Sequence, residues 1–378
     1  MRETRTTIIG VIMAGGIGER FWPVSRPDRP KQLLPLGPSS RTLLEDTVHR
    51  LGDLVERDRL MVVTSRLLRD PVIESGIPLE DEQVVAEPTK RNTLGAVAWA
   101  TAQALGRNGL SAEDVTLAII PADQYVGDVE RFRQDLRTAL AAAEQMDALV
   151  TIGIEPTRPE TGYGYIEFED RPLDVSGVPD AEAKLRPVER FREKPNAETA
   201  EDFFASGRFL WNGGMFLWRV STFMAELERA DPEVAETVRR MISAVADADD
   251  EEAERLFGEL PNLSIDYALM EHAREVVVVR AGFPWDDVGA WDAWQRVTDC
   301  DARGNATHGR PLLIDCDECS VYNESGQEQM FVAVIGMERV IVAVTDDGLL
   351  VAPLERAQQV REVVRRRNEA QTRGGSEG

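Results

Sequence analysis

Lysine is nearly missing from this chain: only Lys31, Lys90, Lys184 and Lys194 stand among 43 basic residues, and the rest are arginine. Histidine and cysteine are as scarce, at three each in 378 residues. Three cysteines make no disulfide framework in a chain of this length. Cys316-Asp-Glu-Cys319 has C-x-x-C spacing, but there is no second such pair, and His49, His272 and His308 are scattered. A structural role for Cys316 and Cys319, in a reducing cytoplasm, is the expectation. No run of about 18 apolar residues occurs, so no transmembrane helix is expected. Positive charge is short overall. The formal net charge of −24 excludes nucleic acid and anionic membranes as partners of the bulk surface. An anionic substrate therefore needs a local basic site, and each rare lysine is a candidate for it.

Hydrophobic residues make up 43% of the chain, enough for a sizeable core, and the length suits one large domain with a smaller appendage. The apolar run Ile8–Ala14 follows an arginine, faintly like a signal peptide. It is short and enters a glycine-rich turn with no small-residue cleavage site, so it reads as a buried first strand. Helices are predicted at Thr42–Leu51, Asn92–Leu105 and Glu130–Gln145. Strands are predicted at Leu60–Thr64, Val84–Val85, Val115–Ile120 and Ala148–Ile154. Strands that are apolar throughout and separated by helices imply a sheet covered on both faces. The expected class is α/β, a doubly wound, mostly parallel, Rossmann-like sheet that binds ligands at the carboxyl ends of its strands. Further strands are predicted at Tyr163–Glu169, Val188–Arg192, Trp211–Arg219 and Val276–Val279. After about Asp299 the pattern changes. Leu312–Ile314, Ser320–Tyr322, Phe331–Ile335, Val340–Val344 and Leu349–Ala352 read as short, closely spaced strands, followed by a charged helix from Leu354 to Asn368. The expected organisation is a large domain over 1–298 and a small all-β module over 299–378, with Gly374–Gly378 disordered.

Chemistry begins where the first strand ends. Ala14-Gly15-Gly16-Ile17-Gly18 forms a turn whose backbone amides can face a phosphate chain. It is not the dinucleotide fingerprint, which opens directly into a helix, and no G-K-[S/T] follows to make a Walker A loop. Pro23, Pro27 and Pro30 forbid an immediate helix, which argues against a nicotinamide dehydrogenase. Arg20, Arg26 and Lys31 place three fixed cations on this one loop.

The stretch Met13–Gln32 resembles the signature of the sugar-1-phosphate nucleotidylyltransferases. Its Trp22-Pro-Val-Ser-Arg26 and Pro30-Lys-Gln32 elements look like the branch that uses GTP and mannose-1-phosphate. The resemblance continues through Glu87-Pro-Thr-Lys-Arg91-Asn92-Thr93, Pro121-Ala-Asp123, Pro159-Glu-Thr-Gly162-Tyr163-Gly164-Tyr165-Ile166 and Phe191-Arg-Glu193-Lys194-Pro195. Trp211-Asn212-Gly213-Gly214, Ile265-Asp-Tyr267 and Trp285-Asp-Asp287-Val-Gly289-Ala-Trp291 complete it, so that it covers Ile8 to Trp294. It implies that Arg20, Lys31 and Asp123 are catalytic, and that Ala14, Gly15, Gly16 and Gly18 bind the nucleotide. It assigns the nucleobase to Glu87, Arg91 and Asn92, and the sugar phosphate to Gly162, Glu193, Lys194 and Asn212. Asp123 and Asp287, rather than the adjacent Asp286, would hold Mg²⁺. Two carboxylates with phosphate oxygens and waters suit that ion, and a carboxylate at Glu87 could accept from the N1–H and N2–H₂ edge of guanine.

Structural readings stand beside these. Asp123 is equally a turn residue, Asn92 a helix cap, and Tyr163 and Tyr165 packing residues. Gly213 stands where the family usually has Ser, Gln124 where His is common, and Ala290 where Ser is usual, which touches sugar preference rather than chemistry. The implied reaction is transfer of GMP from GTP to mannose-1-phosphate. The alternatives are a related transferase using another nucleotide or hexose phosphate, and an inactive nucleotide-sugar-binding regulator. The β module resembles the left-handed β-helix of many relatives, with homodimer contact and simple capping both open. Too few histidines are present for the cupin-type isomerase domain that many relatives carry, so no isomerase activity is expected.

Overall fold

The computed structural model describes residues 6–326 and 330–374. The apolar runs form the middle of a sheet. β1 (Thr7–Ala14), β2 (Leu60–Ser65), β3 (Val84–Glu87) and β4 (Val115–Pro121) pair in parallel in the order β3-β2-β1-β4. β2 and β4 are buried along nearly their whole length, because helices cover both faces of the sheet. After the short β5 (Tyr125–Val126) come β6 (Leu149–Ile154), β7 (Tyr165–Phe168), β8 (Leu185–Arg192), β9 (Phe209–Arg219) and β10 (Val276–Arg280). The nine-stranded order is β3-β2-β1-β4-β9-β6-β10-β8-β7. Seven of these strands run one way, and β8 and β9 oppose them. The mostly parallel sheet is thus mixed in its second half, where the eleven-residue β9 slots between β4 and β6.

Local signals placed the helices well. α1 (Leu43–Leu51) starts at a capping box in which Thr42 and Glu45 satisfy each other's backbone amides. α2 is Arg66–Glu74. α3 (Asn92–Asn108) is buried from Leu94 to Leu105, and its alanines and glycines let the helix Pro232–Ala246 pack close. At Gly106 a Cβ would lie 2.7 Å from Val245. α4 (Val129–Gln145) is capped by Asp128. Two apolar cores fill the two faces of the sheet.

β11 (Trp285–Asp286) pairs antiparallel with β5, away from the main sheet. The chain then coils through β12 (Ala306–His308), β13 (Leu312–Ile314), β14 (Ser320–Glu324), β15 (Ala333–Ile335) and β16 (Val340–Thr345), and β17 (Gly348–Pro353) folds back antiparallel on β16. β12, β14 and β16 stack in parallel, as do β13 and β15, which makes a short β-helix. β12 escaped the sequence reading, being only three residues long with one side chain buried. The predicted closing helix begins as a tight turn, Leu354–Gln359, and continues as Val360–Gly374. Gly374 therefore ends a helix instead of opening a disordered tail, and 375–378 lie outside the described residues, as does the arginine preceding the first strand. Cys316 and Cys319 are free and buried in the module's own core, in keeping with a structural role.

A third core joins the two parts. Phe21, Val24 and Leu34 from the segment after the glycine turn, Val288 from the turn after β11, and Trp291 and Trp294 from the helix Trp291–Val297 pack with Tyr322, Ile341 and Leu354 of the β module. Arg29 pairs with Glu324 through two hydrogen bonds across the same boundary. The module is therefore part of the wall behind the glycine loop. No helix among the described residues is long and apolar enough to cross a membrane.

Candidate active site

The glycine turn leaves the carboxyl end of β1, where the sequence placed it. The Ala14 carbonyl accepts from Thr64 Oγ1 (2.7 Å) and Gln32 Nε2 (3.1 Å), and its side chain is buried. Ala14 thus anchors the turn, and Gly15 and Gly16 present themselves: a Cβ on either would meet nothing within 4 Å. The loop folds back on itself through Lys31 N to the Ile17 carbonyl (3.0 Å) and Ser25 Oγ to the Gly18 carbonyl (2.6 Å). Gly18 has φ +74°, and a Cβ there would sit 2.3 Å from Lys31 Cβ. Gly18→Ala is expected to cost about 2–4 kcal/mol, through positive φ and overpacking, and to displace Lys31. Thermal denaturation with a turnover assay checks it; an unchanged melting temperature would show that the loop tolerates a side chain there.

The β5–β11 ribbon explains how the two aspartates meet. Tyr125 pairs with Asp286, so Asp123, two residues before Tyr125, and Asp287, one after Asp286, flank the same end of the ribbon. Lys31 joins them. Its buried Nζ lies 2.9 Å from Asp123 Oδ2 and donates to the Asp287 carbonyl at 2.7 Å. Asp286 is occupied elsewhere, bound to Arg296 Nε (2.8 Å) and the Val288 amide (2.9 Å). Asp287 instead receives the Tyr163 hydroxyl. Burial pushes the Asp287 carboxyl above the usual carboxylate range, and Lys31 opposes that shift. Among the described residues no three His, Cys, Asp or Glu side chains gather to hold a metal. The Asp123–Asp287 pair is what the site offers, and it fits an oxygen-seeking divalent ion that keeps waters and phosphate oxygens in its shell.

Two cavities meet at Arg20, and one of them reaches this centre through Asp287. One, of about 450 Å³, is lined by Gly15, Gly16, Gly18, Arg20, Glu87 and Lys90. The other, of about 370 Å³, includes Arg20, Glu160, Gly162, Tyr163, Asp287 and Arg296. Arg20 belongs to both. It forms no ion pair among the described residues, and its buried Nε lacks a partner. Glu87 Oε1 is likewise buried without a partner, and burial raises the Glu87 carboxyl to about 7.

Not every expected residue reaches these cavities. Arg91 donates to the Gly258 carbonyl, and exposed Asn92 accepts from the Thr93 amide (2.9 Å), so both serve the start of α3 in this state. Glu193 pairs with Lys194 at 2.7 Å, and the Lys194 side chain is largely exposed. Asn212 lies beside them: its amide donates to the Gly164 carbonyl (2.8 Å) and its Nδ2 to Asp266 Oδ1 (2.7 Å). A Cβ on Gly164 would lie 3.0 Å from Glu193 Oε2, so glycine there keeps the carboxylate in place.

Three residues that the sequence offered only as a motif member, a packing residue and a departure make contacts in the site. Asp266 opens a π-turn, a feature frequent at functional sites, and burial pushes its carboxyl up. Tyr163 holds Asp287 as well as packing on Trp211 and Trp285. Gln124 donates to the Gly213 carbonyl (2.8 Å) and accepts from Trp285 Nε1 (2.9 Å). The Gln124 and Gly213 departures are therefore in direct contact.

A glycine turn and a paired-aspartate centre at the carboxyl ends of an α/β sheet define a nucleotidyl-transfer fold. The chain belongs to the nucleotidyl transferase family, which matches residues 9–303, and a MannoseP isomerase/GMP-like beta-helix domain matches residues 309–366. It is 38% identical over 362 residues to the mannose-1-phosphate guanylyltransferase of Escherichia coli K12, spanning 94% of this chain and 72% of that one. It is 36% identical, with the same coverage, to the xanthan biosynthesis protein XanB of Xanthomonas campestris pv. campestris. A crystal structure described as mannose-1-phosphate geranyltransferase from Thermus thermophilus matches with TM-score 0.83 and 37% identity, over 96% of this chain and 99% of that one.

Proposed function

We propose that the chain transfers GMP from GTP to mannose-1-phosphate, giving GDP-mannose and pyrophosphate. The observation that carries this reading is the meeting of two cavities at Arg20, beside the Asp123–Asp287 centre. The glycine-lined cavity takes the nucleotide, with Glu87 at its base end. The Tyr163–Asp287 side takes the sugar phosphate, with Gly162 in its lining; Glu193, Lys194 and Asn212 are assigned to the sugar by the family resemblance alone.

A phosphate oxygen of the sugar phosphate attacks the α-phosphorus of GTP in line. One P–O bond forms, the α–β bridging bond breaks, and pyrophosphate leaves with the electron pair. The attacking oxygen is already anionic, so no side chain need remove a proton. Positioning and charge neutralisation are then the main tasks. Arg20 faces both phosphates, and the amides of Gly15 and Gly16 line the triphosphate. Asp123 and Asp287 would hold Mg²⁺, which supplies charge neutralisation between the reacting phosphates. Lys31 fixes Asp123 and the Asp287 backbone relative to each other, and Tyr163 orients the Asp287 carboxylate.

The test is pyrophosphate release with Mg²⁺ for GTP, ATP, UTP, dTTP and CTP, each with mannose-1-phosphate and with glucose-1-phosphate. Strong release from GTP with mannose-1-phosphate alone is expected. Release from another pair would overturn the base and sugar assignments, and none from any pair would overturn the reaction.

Glu87 gives a pH-dependent check. Its folded value, about 7, lies above the ordinary 4.5. It therefore favours the folded state below about pH 4.5, and that contribution is lost as pH rises through 7. Glu87→Gln is expected to stabilise the ligand-free protein by about 1–3 kcal/mol at pH 8 and by nothing at pH 4.5. The same variant should raise KM for GTP about tenfold or more, because the carboxylate that accepts from guanine is gone. Equal KM values would remove Glu87 from base recognition.

A further inference from the structure

Residues 354–361 lead out of the β module, and their rotation is fixed by burial. Leu354, Ala357 and Val360 face into the third core. Two neighbouring positions reach the site: Gln358 lines the cavity of Tyr163 and Asp287, and Arg361 lines the cavity of Gly15, Gly16 and Glu87. Three other arginines of this helix are engaged. Arg365 and Arg366 pair with Glu362, and Arg367 lies over the Trp22 ring. Arg361 forms no ion pair among the described residues, in a chain whose net charge is −24. The ionisable groups around its cavity are Arg20, Lys90 and Arg361 against Glu19 and Glu87. Neither Arg20 nor Lys90 has an ion pair among the described residues either. Three such cations around exposed glycine amides make a site for a polyanion, and a guanidinium fork can take two phosphate oxygens at once.

We propose that Arg361 is a phosphate-binding residue for the nucleoside triphosphate and for the pyrophosphate released from it, so that the C-terminal helix completes the nucleotide site. The inference rests on the nucleotide reading of that cavity. It gives the β module a direct part in substrate binding, because the core that packs Leu354 and Val360 also sets the position of Arg361.

The experiment is calorimetric binding of GTP, pyrophosphate and guanosine to the wild type, Arg361→Ala, Arg361→Lys and the control Arg365→Ala, followed by steady-state kinetics. Arg361→Ala is expected to weaken GTP and pyrophosphate about tenfold and to leave guanosine unchanged. KM for GTP should rise with it while KM for mannose-1-phosphate holds. Arg361→Lys should recover part of the loss, and Arg365→Ala should show none. Equal GTP and pyrophosphate affinity in wild type and Arg361→Ala overturns the inference. So does a parallel loss of guanosine binding, which would mark a structural role. If the wild type itself binds no GTP, the nucleotide reading of the cavity falls and takes this inference with it.

Discussion

Asp123→Asn is expected to lower turnover by about 10²–10³-fold while leaving the fold intact. The size follows from removing one charge-stabilising contact to a transferring phosphoryl group. Asn keeps the shape of the side chain, so the β5–β11 ribbon and the end of β4 have no reason to move. Asp123 is about a third exposed, but its partner Lys31 is buried, so losing the charge leaves the ammonium only the Asp287 carbonyl and should lower the melting temperature modestly. GTP binding should change by only a few-fold, because the glycine turn, Arg20 and Glu87 are untouched. The variant should also need more Mg²⁺ for half-maximal rate, since one of its two carboxylate ligands would be gone. Single-turnover pyrophosphate release across a Mg²⁺ titration measures both effects. Turnover near that of the wild type would take Asp123 out of the chemistry and leave it a turn residue.

Lys31→Ala should lose turnover by a comparable factor, about 10²–10³-fold, for a different reason. The ammonium is buried, bridging Asp123 and the Asp287 carbonyl, rather than standing open in the glycine-lined cavity. Removing it frees the two aspartates from each other and takes away a cation close to the reacting phosphates. The stability cost should be small, about 1–2 kcal/mol, because Asp123 can rehydrate, whereas breaking a fully buried pair costs several. Arginine should not rescue activity. Gly18 closes directly on the Lys31 stem, and a planar fork does not fit where a compact ammonium does. A large rate loss with little loss of melting temperature is the diagnostic pattern. Full activity in Lys31→Ala would show that the bridge is only a fastening.

Most of the fold could be read from the sequence because its signals are local. The runs Val115–Ile120 and Ala148–Ile154 announced strands to within a residue, and the helix read from Thr42 begins at Leu43. The direction of β9 could not be read, since nothing within Phe209–Arg219 states which neighbours it will meet. The site divides in the same way. The glycine turn, Asp123 and Asp287 lie in motifs with their own pattern. The bond from Tyr163 to Asp287, separated by 124 positions, and the Gln124 bridge between Gly213 and Trp285 depend on tertiary placement alone. Lys31 was visible as a rare cation, but its position between two aspartates was not. Arg91 and Asn92 were named by a motif, but the motif does not state their bonds to the Gly258 carbonyl and the Thr93 amide.

The shared third core carries a consequence for the order in which the protein is made. The glycine turn is synthesised long before its backing: Phe21 and Val24 pack on Ile341 and Leu354, and Arg29 waits for Glu324, 295 residues later. A ribosome must therefore make the β module before the loop has its backing. Until then the nascent chain holds an α/β sheet with an unsupported loop, and it gains a competent site only as the last coils of the β-helix close.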